Sequence, residues 1–385
     1  MPTLPRIQEY ADELTAIRRD LHENPENGFE ETRTAGIVAE KLKSWGIEVH
    51  TGIGKTGVVG VLSGKGGGRT IGLRADMDAL PMDEETNLPW RSKLQGKFHG
   101  CGHDGHTTML LGAARYLAET RQFSGKAVFI FQPAEEGLGG ARAMLADGLF
   151  QRFPCDEIYG MHNNPQEAPN KIGVKPGPAM AGSTFFDIYV KGVGSHGAMP
   201  HHAKDPILAV TSLVQTLQSI VSRNVPATMP AVVSVTQIHS GSAYNVVPDK
   251  AVICGTIRYF DDEVKELIHA RIRDMCEGFS KTFGIEVTAD LREIFDVLVN
   301  DARLTDAYLD AARDIVGADN ASETIELVTG SEDFADMLKV VPGAYCTIGH
   351  GGNVPVHNPR FVFDDAILPV GASVMARIVE KRLPL

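Results

Sequence analysis

The segment 98–106 (FHGCGHDGH) concentrates side chains that bind metal ions. It holds three His, one Cys and one Asp, with three Gly between them. A protein core would have to supply a partner for each of these polar groups, and an exposed loop would leave a reactive free Cys open to solvent. Thiolate, imidazole and carboxylate groups share one chemistry, the binding of divalent metals. Because Gly permits the tight turns that bring neighbouring side chains together, the segment predicts a metal site.

Side chains of the same chemistry occur at three further places, which are Asp76 with Asp78, Glu135 and Glu136 with His162, and His357. Each of them alone has an ordinary explanation, as a turn residue, a solvated surface pair or a satisfied polar His. Most of them follow predicted strands, however, and ligand sites of open α/β sheets lie at the carboxyl ends of strands. Adjacent Glu side chains can diverge, one to a metal and one to a water, as metal-assisted hydrolysis requires.

The elements that must position these residues alternate in type along the chain. Hydrophobic patterns predict strands at 57–62, 70–74, 127–131, 157–161, 325–328 and 344–348, and helices at 31–45, 107–120, 304–315 and 367–381. This alternation is typical of an α/β domain. The Gly-rich stretch 63–68 lacks the ending of a phosphate-binding loop, and it predicts a hairpin between the first two strands.

A different pattern interrupts this alternation. Strands are predicted at 183–191, 231–238, 251–259 and 285–291, with helices at 206–221 and 263–283. The order β-α-β-β-α-β is that of a ferredoxin-like domain. We therefore predict a metal-binding catalytic α/β domain formed by residues 1–181 and 293–385, with an inserted ferredoxin-like α+β domain over residues 182–292.

Composition excludes several classes of protein. The 385 residues are 43% hydrophobic and 22% charged, a balance typical of globular domains. The net charge of -12 argues against nucleic acid as a partner, and no apolar run or signal-like start points to a membrane, so we expect a cytoplasmic protein. The five Cys show no CxxC spacing. The motifs of zincins, zinc deaminases and serine α/β-hydrolases are absent.

Taken in order, the motifs resemble those of the M20 metallopeptidases. The resemblance is specifically to the amidohydrolase subgroup, which contains hippurate hydrolases, N-acyl-amino-acid deacylases and plant auxin-conjugate hydrolases. The resemblance spans nearly the whole chain, and it rests on the segments RADMDALP (74–81), HGCGHDGH (99–106), FQPAEE (131–136), MHN (161–163), SHGAMP (195–200), NVVPD (245–249), GTIR (255–258), GSEDF (330–334) and VHNP (356–359).

The resemblance implies two divalent metal ions bridged by Cys101. In this assignment His103 and His162 complete one site, Glu136 and His357 complete the other, and Glu135 is the general base. The metal can be Zn²⁺, which thiolate favours, or Mn²⁺, on which the subgroup often depends.

Supporting roles also follow from the resemblance. Asp78 would hold a ligand His through its other ring nitrogen. Asp104 would support the ligands in the same way, or cap the helix that follows, and His106 has the same two alternatives. Asp76 stands where the wider family has a His, and no role is assigned to it.

In the inserted domain, the resemblance implies that His196 stabilises the oxyanion, and in dimeric relatives it reaches the site of the partner subunit. Asn245 and Arg258 would bind the substrate carboxylate, the latter through a bidentate contact. The alternatives are a surface His and a surface salt bridge.

We therefore expect a metal-dependent amidohydrolase that cleaves an acetyl-, benzoyl- or indoleacetyl-amino acid to a carboxylic acid and a free amino acid. We expect it to act as a homodimer formed through the inserted domain. Two alternatives remain, a metallo-exopeptidase that cleaves dipeptides with the same machinery and a binding protein that kept the fold without the activity.

Overall fold

The structure is a computed structural model that describes residues 2–324 and 326–385. Its contacts divide the chain into two units. The first unit comprises the chain up to residue 177 together with 299–326 and 333–385, and the second comprises 178–298 and 327–332. The second unit therefore begins four residues before the expected boundary at residue 182 and extends beyond the expected end at residue 292.

Eleven α-helices lie in the described ranges: α1 Pro5–Gln8, α2 Ala11–Glu23, α3 Thr32–Ser44, α4 His103–Thr120, α5 Gly140–Ala146, α6 Leu149–Arg152, α7 Pro206–Ser219, α8 Asp262–Phe283, α9 Ala302–Val316, α10 Phe334–Leu338 and α11 Leu368–Arg382. The strands are β1 Glu48–Ile53, β2 Gly57–Ser63, β3 Thr70–Asp76, β4 Lys126–Gln132, β5 Glu157–Asn164, β6 Ile172–Val174, β7 Gly177–Met180, β8 Gly182–Lys191, β9 Ser195–His196, β10 Ala231–Ser240, β11 Val246–Val247, β12 Lys250–Tyr259, β13 Glu286–Phe295, β14 Leu298–Asn300, β15 Ala321–Glu323 and β16 Gly343–Gly349.

The first unit is built on an eight-stranded sheet with the order β1-β2-β4-β3-β5-β16-β6-β15. Its four central strands, β4, β3, β5 and β16, are parallel neighbours, so their carboxyl ends share one edge of the sheet. Strands β3 and β4 are buried over almost their whole length, as the continuous apolar runs of their sequences predict. The α/β character expected of this unit is confirmed.

The hairpin expected between the strands at 57–62 and 70–74 is wrong. Strand β4 lies between β2 and β3 and pairs with both, antiparallel to the first and parallel to the second. The Gly-rich stretch crosses the end of β4, where the Gly64 N–H donates to the carbonyl of Gly125 and the Lys126 N–H donates to that of Arg69. The hairpin partner of β2 is instead β1, an edge strand whose half-polar sequence gave no clear signal.

Helix α4 carries the candidate ligands into the core of the first unit. Every residue from His103 to Ala114 is buried. A helix buried on all sides needs small or apolar residues around its whole circumference, and α4 meets this need with Gly105, Gly112 and its run of Met, Leu and Ala. The helix begins four residues earlier than predicted, so His103 and His106 both lie in its first turns.

The second unit has an antiparallel sheet with the order β10-β12-β8-β13. Helices α7 and α8 supply apolar residues to the same core as these strands. Chain order and strand order together are those of a ferredoxin-like fold, as predicted. Strand β10 is at the edge of this sheet.

The strand expected at 325–328 begins at residue 325, which lies outside the described residues, and Val328 makes a single bridge with Met180. Within residues 2–324 and 326–385, no helix combines the length and apolar composition needed to cross a membrane.

Candidate metal centre

Cys101 is shared by two groups of potential metal ligands in the first unit. One group is Cys101, His103 and His162, and the other is Cys101, Glu136 and His357. Within each group, one ligand atom from every residue lies within 4.8 Å of the others. These are the two groupings that the resemblance implies, and the fold assembles them from helix α4, strand β5 and three loop segments, one of which directly precedes α4.

The ring nitrogens of two His residues are oriented by their neighbours. The Nδ1 of His103 lies 3.2 Å from Asp78 Oδ1, and the Nδ1 of His162 donates to the carbonyl of Asn163 at 2.7 Å. Such contacts fix the tautomer and leave Nε2 as the metal-binding atom. The Nε2 of His162 is accordingly 3.2 Å from the sulfur of Cys101.

The buried Nε2 of His103 has no hydrogen-bond partner among the described residues. It lies 3.9 Å from Glu136 Oε1, which is itself 3.1 Å from His357 Nε2. Buried polar atoms are almost always hydrogen-bonded, so the unpartnered nitrogen of His103 calls for an explanation. A divalent cation placed among these three atoms would satisfy it. The donor set of thiolate, imidazole and carboxylate fits such an ion.

The electrostatic environment favours positive charge at the same place. Burial by itself would lower the pKa of His103, but Asp76 and Cys101 outweigh it, and the pKa lies well above its usual value. Contacts with Cys101 and Glu136 raise the pKa of His357 to about 10. Burial raises the pKa of the Cys101 thiol, and the carboxylate of Glu136 raises it further.

The start of helix α4 is shaped by Gly102. This residue is the N-cap, with a φ of +94°, a conformation that side-chain-bearing residues rarely adopt. A Cβ on Gly102 would also lie 2.3 Å from Asn163 Oδ1. The glycine therefore lets the helix start press against strand β5, which brings Cys101 and His103 to His162.

The loop after β4 presents the paired carboxylates. Glu135 is 6% exposed, and its carboxylate lies within 4.8 Å of ligand atoms of His103 and Glu136. The backbone N–H of Glu136 donates to Asp78 Oδ2 at 3.0 Å. Asp78 thus contacts both the ring of His103 and the loop that carries the two Glu residues.

Asp76 belongs to a buried polar network beneath the ligands. Its carboxylate lies 2.6 Å from His106 Nδ1 and accepts from Arg74 Nη1 at 2.7 Å. The N–H of Asn163, the neighbour of His162, donates to His106 Nε2 at 3.0 Å. This network gives Asp76 and His106 partners that sequence patterns did not reveal. Asp76, His103 and His106 form a further cluster that could hold a metal.

Asp104 points to a different set of partners. His22 Nδ1 lies 2.7 Å from Asp104 Oδ2, and Arg18 Nη1 lies 3.4 Å from the same atom. Burial alone would lower the pKa of His22, but Asp104 outweighs it and the pKa is about 9. The side chain of Asp104 thus contacts helix α2, and it accepts from the N–H of Gly105 in its own helix at 3.0 Å, so its role in supporting the candidate ligands stays a prediction.

The remaining site candidates lie in the second unit. His196 on β9 pairs with Val246 on β11, which follows Asn245 directly. The N–H of Ala198 donates to His196 Nδ1, so the neutral ring carries its proton on Nε2 and can donate there. The guanidinium of Arg258 is half-buried, and it donates to the hydroxyls of neighbouring residues in that unit.

Comparison with known proteins identifies the family. The model of peptidase family M20/M25/M40 matches residues 72–381. A hippurate hydrolase from Campylobacter jejuni is 43% identical over 383 residues, which covers 100% of both chains. An N-acetyl-L-cysteine deacetylase from Bacillus subtilis is 39% identical and covers 96% of this chain and 88% of its own.

A solved structure from Bacillus subtilis is described as a dinuclear metal binding peptidase from the M20 family. It superposes with a TM-score of 0.85 at 34% identity, over 98% of this chain and 99% of the other. The matched family model, the full-length relatives and the superposed fold agree, and the chain belongs to peptidase family M20/M25/M40.

Proposed function

We propose that this protein is a metal-dependent amidohydrolase that cleaves N-acyl amino acids to a carboxylic acid and a free amino acid. The observation that carries the proposal is the arrangement of two ligand groups around Cys101 with the carboxylate of Glu135 beside them. The similarity to a hippurate hydrolase and to an N-acetyl-L-cysteine deacetylase supports the N-acyl amino acid as substrate class.

The ligand sets suit two divalent ions, with Cys101, His103 and His162 on one and Cys101, Glu136 and His357 on the other. When bound, such ions polarise the amide carbonyl and increase the acidity of the attacking water. The mixed sulfur, nitrogen and oxygen donors suit Zn²⁺ and also admit Mn²⁺.

Glu135 acts as the general base and then as the general acid. Its carboxylate accepts a proton from the attacking water and returns it to the nitrogen of the leaving amino acid. The side chain is well placed for this, because it is 6% exposed and lies next to the ligand atoms of His103 and Glu136. Partial exclusion of solvent strengthens its interaction with the developing charges.

The second unit supplies the groups that recognise the substrate. His196 carries a proton on Nε2 that can be donated to the oxyanion, and Arg258 with Asn245 binds the substrate carboxylate. We further propose a homodimer formed through this unit. The long edge strand β10, with exposed Val232 and Ile238, supports such an interface, since an edge strand offers unpaired backbone groups.

A metallo-exopeptidase that acts on dipeptides is the second candidate. The description of the solved Bacillus subtilis relative as a peptidase favours it. Both reactions cleave an amide next to a free carboxylate, so the machinery at Cys101 and Glu135 serves either one. The difference lies on the carbonyl side of the scissile amide, which is a simple acyl group in one case and an aminoacyl group with a charged amine in the other.

The test combines a substrate panel with one variant. Purified enzyme loaded with Zn²⁺ or Mn²⁺ is assayed against acetyl-, benzoyl- and indoleacetyl-amino acids and against dipeptides. We expect hydrolysis of the N-acyl amino acids, abolished by a chelator and restored by the metal. Glu135→Gln should keep the metal content and lose about two to four orders of magnitude in kcat. Cleavage of dipeptides alone would establish the second candidate, and near-native turnover by Glu135→Gln would remove Glu135 from the mechanism.

A further inference from the structure

Glu31 is a fully buried carboxylate of the first unit that has no place in the mechanism above. It is 0% exposed and lies at the start of helix α3. One carboxylate oxygen accepts from the backbone N–H of Ala134 at 2.8 Å, and the other accepts from the hydroxyl of Thr56 at 2.6 Å. Its most informative partner is Ala134, because the next residue in the chain is Glu135.

The backbone at Ala134 is in an unusual conformation. Its φ is +52°, in the left-handed region that residues with a Cβ rarely occupy. Such a conformation persists where the surrounding structure over-determines it, and it occurs often at functional sites. The carbonyl of Ala134 accepts from the N–H of Gly140 at 3.0 Å, and the residue is completely buried.

The loop that carries Glu135 and Glu136, here called the Glu-Glu loop, is therefore held on two sides by carboxylates. Glu31 accepts the N–H that precedes Glu135, and Asp78 accepts the N–H of Glu136 at 3.0 Å. The two anchoring N–H groups belong to Ala134 and Glu136, and they lie on either side of the Cα atom that carries the side chain of Glu135. Removing one anchor would free this short stretch of backbone to relax out of its strained conformation.

The segment that delivers Glu31 is itself fixed to the site. The carbonyl of Glu26 accepts from the N–H of Ala79, the neighbour of Asp78, at 2.8 Å. The side chain of Glu26 accepts from the backbone N–H groups of Arg33 and Thr34 at 3.0 and 2.8 Å, which caps helix α3. The connection between α2 and α3 thus contacts both the Asp78 turn and the Glu-Glu loop.

We infer that Glu31 is a positioning residue that fixes the general base Glu135 through the backbone of Ala134. This inference rests on the proposed function, because it presupposes that Glu135 is the base. Glu31 does not touch the reacting atoms. Its effect is to hold the backbone from which the carboxylate of Glu135 projects, and catalysis is sensitive to displacements of about 1 Å at such a group.

Two substitutions separate the hydrogen bond from the volume and charge of the side chain. Glu31→Ala leaves the Ala134 N–H without its acceptor, and we expect kcat to fall by up to about 100-fold with KM and metal content unchanged. Glu31→Gln keeps an oxygen that can accept from Ala134 and an amide that can pair with Thr56, so it should retain most of the activity. If Glu31→Ala does not fold, Glu31→Leu keeps the volume without the acceptor and takes its place.

A double-mutant cycle supplies the decisive readout. If Glu31 acts through Glu135, Glu31→Ala should cause no further loss of turnover in the Glu135→Gln background, since groups that act as a unit are not additive. Asn300→Ala is the matched control. The buried Asn300 accepts the backbone N–H of Tyr345 at 2.8 Å in the same unit, so this variant should lose thermal stability with kcat per folded enzyme unchanged.

Several results would overturn the inference. They are an unchanged kcat in Glu31→Ala, a loss that Glu31→Gln does not restore, multiplicative losses in the cycle, a fall in activity that only follows the fraction of folded or metal-loaded protein, or the failure of both the Ala and Leu variants to fold. Near-native activity of Glu135→Gln alone would instead refute the proposed base, so the two failures are distinguishable.

Discussion

Replacing Asp78 with Asn should weaken metal binding, although the two side chains have nearly the same size. The two oxygens of Asp78 have different partners, since Oδ1 lies 3.2 Å from His103 Nδ1 and Oδ2 accepts from the N–H of Glu136. Both partners are donors. An Asn side chain has one acceptor oxygen and one NH₂ group. In one of the two contacts, the NH₂ group would therefore face another N–H donor, and no hydrogen bond could form there.

Each way of placing the amide harms the ligand cluster. If the NH₂ group faces His103, it favours the tautomer in which Nδ1 accepts and Nε2 carries the proton. The protonated Nε2 can then no longer bind the metal. If the NH₂ group faces Glu136, the loop that carries the second carboxylate ligand is repelled. Removing such a supporting partner costs about 10–100-fold in metal affinity, which corresponds to about 1.4–2.7 kcal/mol.

The measurement is a competition titration of the metal-free protein against a chromophoric chelator, with Zn²⁺ and with Mn²⁺. Asp301→Asn is the control, because the carboxylate of Asp301 accepts from two backbone N–H groups at the start of helix α9 and is not part of either ligand group. Its metal affinity should equal that of the wild type. An unchanged affinity in Asp78→Asn would show that Asp78 does not orient His103, and the reasoning would fail.

Two further predictions concern acid stability and assembly. Burial disfavours ionised Glu157, but Arg382 and Arg69 outweigh it and lower its pKa from 4.5 to about 2. Above pH 4.5, Glu157→Gln should therefore lower the free energy of unfolding by up to about 3 kcal/mol, and urea unfolding curves should show this deficit vanish as the pH falls towards 2. A deficit that does not depend on pH would contradict this account. If His196 completes the site of the partner subunit, mixing the inactive Glu135→Gln and His196→Ala chains should partly restore activity, whereas no recovery would show that each chain completes its own site.

The sequence by itself determined the chemistry and the class of fold. The types and motifs of the sequence single out residues 101, 103, 136, 162 and 357 as candidate ligands, and these residues meet in two groups around one sulfur. This worked because apolar runs mark the parallel strands, and polar residues placed just after such strands come together at one edge of the sheet. The ferredoxin-like order was readable for a similar reason, since each of its elements has a strong period of its own.

Only the tertiary structure decided which elements become neighbours. The Gly-rich stretch at 63–68 is compatible locally with a hairpin, and the position of β4 between β2 and β3 depends on residues far along the chain. The support of the site has the same origin. Glu31 binds Ala134 across 103 residues, and His22 binds Asp104 across 82. Local propensity reflects interactions within a few residues, whereas these contacts exist only once the sheet has brought distant segments together.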